Sequence, residues 1–250
     1  KRIRPFLVKT FSSPLNINKK NYLRISAAIE SIHSYSLIHD DLPSMDNDDY
    51  RRGKLSTHKK YNEATAILAG DALHDLAFEI ISDEKTHPDP SVRILLINKL
   101  SKIIGFQGLA GGQSLDLLFE NKKVKFNEII KMYEMKTSAL FSFCCSAPYI
   151  LAKKDKEDII FAENFGKLFG TIFQIIDDII DEEQDFKTLG KTPGKDRKQG
   201  KGTLLSIKNK KNIRNFCLKK IEDFEIKNKR NYGEYDILKK LISINLKELN

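Results

Sequence analysis

The sequence predicts an all-α fold in a single domain, and three observations carry that prediction. Apolar residues recur at helical spacing along most of the 250 residues. No alternating runs bounded by turns mark strands. No linker or shift in composition divides the chain, so residues 1–250 read as one helical bundle around one core. With 40% hydrophobic residues that core can be sizeable. The 7 Pro and 13 Gly, unevenly placed, exclude a repeat-turn β protein and a disordered chain. No apolar run approaches the ~18–20 residues that would span a bilayer, so no stable membrane insertion is expected.

The first helix is expected over residues 22–42, where Leu23, Ala27, Ile29, Ile32, Leu37 and Ile38 recur and Pro43 marks the end. A second apolar stretch covers 64–81 and holds Gly70 and Asp71 in hydrophobic company. A third, 95–118, is interrupted by Gly105, Gly108 and Gly111-Gly112. Further helices are expected over 126–136, 137–153 and 159–180. The 137–147 stretch carries few charges and many small residues, as in a helix buried among others. Residues 188–203, rich in Gly and Lys, predict a loop. Beyond it, 204–250 is highly charged with an apolar stripe, which predicts amphipathic surface helices.

A net charge of +9 and a pI near 9.2 point to anionic partners: nucleic acid, an anionic membrane or phosphorylated metabolites. An AT-rich genome, which inflates Lys, Asn and Ile, explains the excess about as well. Cys144, Cys145 and Cys217 have neither disulfide-scaffold nor metal-ligand spacing, so a reducing compartment is expected. No signal-peptide pattern opens the chain, which begins at Lys1 without a Met and so leaves room for a missing targeting segment.

Two acidic clusters are the sharpest feature. In HDDLPSMDNDD, Asp40, Asp41, Asp46, Asp48 and Asp49 place five carboxylates within ten residues, directly after an apolar helix. In QIIDDIID, Asp177 and Asp181 share a helix face with Asp178 beside them, among Ile175, Ile176, Ile179 and Ile180. Carboxylates at the edge of a core need counter-ions. Hard oxygen donors without clustered His or Cys select Mg2+, with Mn2+ possible, over zinc. Facing clusters of this kind would clamp a polyphosphate through bridging cations. Cationic partners for such an anion stand in short groups: Lys1, Arg2 and Arg4; Arg51-Arg52; Lys136-Thr137; and Lys191, Lys195, Arg197, Lys198 and Lys201. The lysines after 207 read as solvated surface. No GxxxxGK[ST] occurs, which sets aside P-loop kinase chemistry. His33 lies two turns before Asp40 on about the same face.

Together these segments resemble the trans-isoprenyl diphosphate synthase family, specifically its short-chain farnesyl and geranylgeranyl diphosphate synthases. The matching stretches run in family order from residue 1 to about 203: KRIRP at 1–5, SIHSYSLIHDDLPSMDNDDYRRGKLSTH at 31–58, AILAGDAL at 66–73, GGQSLDL at 111–117, KTSALF at 136–141, FGTIFQIIDDIID at 169–181, then LGKTPGKD and GKGT. The resemblance implies an all-α bundle around a central cavity, usually a homodimer. It implies that Asp40, Asp41 and Asp46, with Asp177, Asp178 and Asp181, hold about three Mg2+ ions on an allylic diphosphate. Arg51, Lys136, Thr137, Gln174, Lys191 and Lys201 would contact that substrate, and Lys1, Arg4, His33 and Arg52 would hold isopentenyl diphosphate. Asp40, Asp46, Asp177, Lys136 and Thr137 would carry catalysis by ionisation, condensation and elimination. In the family an aromatic at the position of Tyr35, five residues before Asp40, stops the chain near C15; with Ser36 beside it, Tyr35 favours farnesyl diphosphate.

The alternatives are a geranylgeranyl diphosphate synthase and a catalytically silent subunit of a heteromeric synthase. A terpene cyclase fits less well, because the second acidic motif is a full DDIID and KRIRP with Arg51-Arg52 implies a second diphosphate site. A nucleic-acid binder fits less well because no recognition motif occurs. The family usually has helices before KRIRP, so the N-terminal helix is expected to be missing. A cytoplasmic location is expected, with an organellar address left open for the same reason. No site is assigned after Thr203, and the sequence leaves the role of that region open.

Overall fold

A computed structural model describes residues 2–183 and 202–228, and its backbone is helical almost throughout. Helix α1 (Ile3–Ser12) buries Leu7, Val8 and Phe11. It is an element the sequence reading left out, because its apolar positions are crowded by four cationic residues. Helix α2 (Lys19–Asp40) starts where the Asn18 side chain accepts from the Lys20 N–H, and it buries Ile25, Ala28, Ile29 and Ile32. A two-residue hairpin, β1 (Tyr50–Arg51) and β2 (Lys54–Leu55), and the short α3 (Thr57–Lys60) lead into α4 (Glu63–Ser82). The apolar 95–118 stretch is two helices, α5 (Pro90–Ile104) and α6 (Leu109–Phe119). They separate at Gly105 and Gly108, where the chain doubles back so tightly that a Cβ on Gly108 would lie 1.7 Å from the Ile103 carbonyl oxygen.

Helices α7 (Phe126–Tyr133) and α8 (Ala139–Leu151) join through a single π turn, Glu134–Ser138, so the two separate expected helices form one continuous rod. All residues from Leu140 to Leu151 are buried, as the small, uncharged composition predicts. Helix α8 is the central post, and α1, α2, α5 and α9 (Lys156–Glu183) pack around it. Gly166 and Gly170, one turn apart, bring α9 onto α8 at close range: a Cβ there would lie 2.4 Å from the Phe141 carbonyl oxygen and 2.5 Å from the Ser138 Cα. Phe141, Phe169 and Phe173 fill the space around that crossing, with ring centroids 5.2–6.2 Å apart.

Part of α9, Lys156–Ile180, is long and apolar enough to cross a membrane by length and composition alone, although charged and amide side chains interrupt its apolar residues. Over half of its apolar window is buried in the bundle, which accounts for that composition. A short 3-10 turn (Leu204–Ser206) precedes α10 (Lys210–Lys227), which buries Ile213 and Cys217 and exposes Lys211, Lys219 and Lys220. That is the amphipathic surface helix expected there. Most of the Gly-Lys loop and residues 229–250 lie outside the described residues.

Candidate active site

The first acidic cluster is shaped by the end of α2. The last carbonyls of a helix lack intrahelical partners, and here the following loop folds back to supply them. The Asp46 N–H donates to the Asp40 carbonyl at 2.8 Å, the Asp48 N–H to Asp41 at 3.1 Å and the Asn47 N–H to Leu42 at 3.0 Å. Asn47 takes the left-handed backbone this reversal requires. The fold-back buries Asp41, Asp46 and Asp48. The hairpin then turns on Arg52 and Gly53, both with positive φ (56° and 74°), as a two-residue turn matching the strand twist demands. A bulky residue in that region is strained, and strain of this kind clusters at functional sites.

Beside the hairpin, between α1, α2, α6, α8 and α9, lies a cavity of about 560 Å3. Arg4, His33 and Ser36 line it with Asp40. Arg51, Arg52, Lys136 and Thr137 also reach it, and Gln174 and Asp177 close it from α9. Leu37, Leu109, Leu140, Phe173 and Ile180 give it apolar walls. Ten residues expected from the sequence thus meet at one cavity, drawn from chain positions 4 to 177.

The others stand elsewhere. Asp41 is turned away from the lining and ion-paired to Arg51, which also reaches Asp48 at 3.3 Å. Burial pushes the Asp41 carboxyl above the ordinary carboxylate range, despite Arg51. Asp46 is buried in the fold-back and does not line the cavity. Asp178 accepts from the Gln174 amide at 2.7 Å and from the Tyr133 hydroxyl, which in turn accepts the Leu204 N–H at 3.2 Å. Burial and the Asp178 charge hold the Tyr133 phenol well above its usual range, so it stays a donor. Tyr35 does not line the cavity but packs edge-on against His39 and His74, at 5.7 and 5.3 Å. Lys1, Lys191, Lys201 and the Asp181 side chain lie outside the described residues.

The cationic rim is preorganised. The Arg4 guanidinium lies 4.6 Å from the Phe141 ring centre, and burial pulls its pKa down. Burial, reinforced by Arg4, Arg52 and Arg51, pushes His33 down to about 2, so its imidazole is neutral. The Lys136 ammonium is held by Asp116 at 2.6 Å, and the Thr137 hydroxyl donates to Gln174 Oε1 at 2.6 Å. The π turn carries both residues, and such turns widen the backbone where function needs it. Sequence reasoning missed Asp116 and Tyr133. GGQSLDL holds the first, but neither gives a signal before its partners are known.

An all-α bundle with two acid-tipped helices and a cationic rim around one apolar cavity defines an enzyme class that handles diphosphates with hydrocarbon tails. The chain belongs to the polyprenyl synthetase family, whose model matches residues 1–234. It is 41% identical over 207 residues to a farnesyl diphosphate synthase of Micrococcus luteus and 40% identical over 208 to one of Bacillus subtilis. Each alignment covers 83% of this chain and 70% of the relative. Among solved structures, an FPP/GFPP synthase from Zymomonas mobilis superposes with a TM-score of 0.85 at 38% identity, covering 98% of this chain and 83% of that one. A geranyltransferase from Helicobacter pylori, complexed with magnesium and isoprenyl diphosphate, gives 0.81 at 32%, covering 100% and 81%.

Proposed function

We propose that this chain is a transferase that joins isopentenyl diphosphate to dimethylallyl or geranyl diphosphate and makes farnesyl diphosphate. The observation that carries the reading is Asp40 and Asp177, each near the end of a long helix, facing one apolar cavity rimmed by Arg4, Arg51 and Arg52. The names of the relatives support it. Residues 1–250 are read as one catalytic unit.

The donor set fits Mg2+. Carboxylate oxygens offer it hard ligands from both sides of the cavity. Among the described residues no three ligand-type side chains converge, so such a cation would complete its shell with diphosphate and water oxygens. Asp40 and Asp177 would hold it, with Asp41, Asp46, Asp178 and Asp181 as further candidates. Bound Mg2+ would neutralise charge on the leaving diphosphate. Arg51, Lys136 and Gln174 would bind the allylic diphosphate; Arg4, His33 and Arg52 would bind that of isopentenyl diphosphate. The allylic C1–O bond breaks with its electron pair going to diphosphate, and the π pair of isopentenyl diphosphate forms the new bond to C1. A proton then leaves the adduct to the released pyrophosphate, restoring a double bond. Thr137 and the Lys136 carbonyl would stabilise the cationic carbon, while Leu109, Leu140 and Phe173, which line the cavity, would exclude the water that quenches it.

Exposed apolar side chains on α4 and α5, among them Leu68, Leu76, Ile94 and Leu95, support a homodimer. Three buried free thiols suit a reducing cytoplasm. The test is turnover of purified protein with Mg2+, isopentenyl diphosphate and geranyl diphosphate. A C15 diphosphate is expected; a cyclic hydrocarbon or no turnover refutes the reading. Asp40→Ala and Asp177→Ala should each abolish turnover with helical circular dichroism unchanged.

A further inference from the structure

Four side chains form a hydrogen-bonded ladder that runs from the cavity wall into the core. Tyr133, the last residue of α7, and Thr137, four residues on in the π turn, form one side. Gln174 and Asp178, also four apart, form the other on α9. The Thr137 hydroxyl donates to Gln174 Oε1 at 2.6 Å, and Gln174 Nε2 donates to Asp178 Oδ1 at 2.7 Å. The Tyr133 hydroxyl donates to the other Asp178 oxygen and accepts the Leu204 N–H at 3.2 Å. Thr137 and Gln174 line the cavity, whereas Tyr133, 2% exposed, and Asp178 do not.

The donors all point one way. A carboxylate has no proton to offer, so Asp178 accepts from both neighbours. Gln174 must then turn its NH2 end to Asp178, which leaves its carbonyl oxygen to Thr137. Thr137 has a single proton, and the bond to that oxygen uses it. Whatever Thr137 Oγ1 presents to the cavity is therefore a lone pair. Tyr133 holds the start of this sequence in place. With one oxygen tied to Tyr133 and the other to Gln174, the carboxylate cannot rotate without breaking a buried bond.

We infer that Tyr133 is a positioning residue for prenyl transfer, acting through Asp178 and Gln174 to keep the Thr137 oxygen an acceptor. This rests on the prenyltransfer reading above. When the allylic C1–O bond breaks, its electron pair leaves with the diphosphate and positive charge spreads over C1 and C3. A hydroxyl whose proton is held elsewhere meets that charge with its lone pair; one able to rotate would turn its proton toward the departing diphosphate. No bond forms to Thr137 and no proton leaves it.

The test is Tyr133→Phe, alone and combined with Thr137→Val. Its Tm should fall, because the buried Leu204 N–H and the Asp178 carboxylate each lose a partner. With Mg2+, isopentenyl diphosphate and geranyl diphosphate, kcat should fall on the order of tenfold. The Kd for geranyl thiolodiphosphate, a slowly ionising analogue, should stay within about threefold, because the lone pair acts on a charge the ground state lacks. In the Thr137→Val background the same change should cost at most about twofold in kcat, since the group it acts through is gone. A ladder that only fastens α9 to the rod would cost the same factor in both backgrounds, and that result overturns the inference. So does an unchanged Tm, an unchanged kcat, or a loss carried mainly by Kd. If Tyr133→Phe loses its helical circular dichroism, Asp178→Asn takes its place in the cycle under the same kcat and Kd criteria. Its amide can donate to Gln174, which releases the Thr137 proton without removing a bond. Wild-type turnover is measured first: its absence refutes the prenyltransfer reading, whereas the ratios among variants bear on Tyr133 alone.

Discussion

At the scale of single residues, environment matters more than identity. Asp40 and Asp41 are neighbours in sequence, yet Asp40 lines the cavity while Asp41 is buried against Arg51. Sequence shows concentrated charge and so revealed the acid clusters and Arg51-Arg52; it does not show which way a carboxylate turns when a loop folds back on its own helix. His33 yields a pH prediction. Unfolded, it takes a proton near its ordinary 6.5; folded, it resists until about 2. Its contribution to stability is therefore whole above pH 6.5 and lost progressively as pH falls below that toward 2. By pH 5 the loss would be about 1–2 kcal/mol. The ligand-free His33→Gln variant should show a smaller drop in urea midpoint between pH 7 and pH 5 than wild type; equal drops refute the assignment. Tyr35→Ala should lengthen the product beyond C15, read by chromatography of the dephosphorylated prenols. Tyr35 stands outside the cavity lining, edge-on to His74, so it would act as a backstop beneath Ser36. An unchanged C15 product removes it from chain-length control.

At the scale of elements, the long periodic helices were legible because their apolar faces repeat over many turns: α2, α4 and α9 all lie where the pattern put them. What escaped was local backbone geometry. The tight reversal at Gly108, the π turn at Glu134–Ser138 and the hairpin at Arg52–Gly53 each occupy a few residues, too short for periodicity, and each positions site residues. The α8–α9 crossing is the strictest of these constraints. Gly166 faces the Phe141 carbonyl and the Ser142 Cα, both backbone atoms of the central post that cannot swing aside. Gly166→Ala should therefore cost about 1–3 kcal/mol, seen as a lower urea midpoint, although alanine normally favours a helix over glycine. The crossing also sets α9 relative to the π turn, so turnover should fall even where the variant is folded. A variant as stable as wild type would mean that the two helices can separate without cost.

At the scale of the whole molecule, the described residues leave an apolar stripe exposed on one side of the bundle. Along α4, Ala64, Leu68, Ala72 and Leu76 recur every fourth residue on the exposed side, with Ile67 beside them, and on α5 Ile94 and Leu95 stand out as well. Leu68 and Ile94 keep 67% and 65% of their surface open to solvent. Single exposed leucines are ordinary, but a stripe continued across two helices would be a liability on a monomer. A closed two-fold pairing through α4 would bury it. That pairing would also reach the site, because the inner side of the same helix holds His39: a Cβ at Gly70 would lie 2.0 Å from that imidazole, next to Asp40 in the chain. Sedimentation should therefore give twice the 28.7 kDa chain mass. Leu68→Glu, placed mid-stripe, should shift the particle to the single-chain mass and lower turnover, with helical content retained. A wild-type monomer with full activity would refute the pairing. A Leu68→Glu dimer as stable as wild type would move the interface to another face.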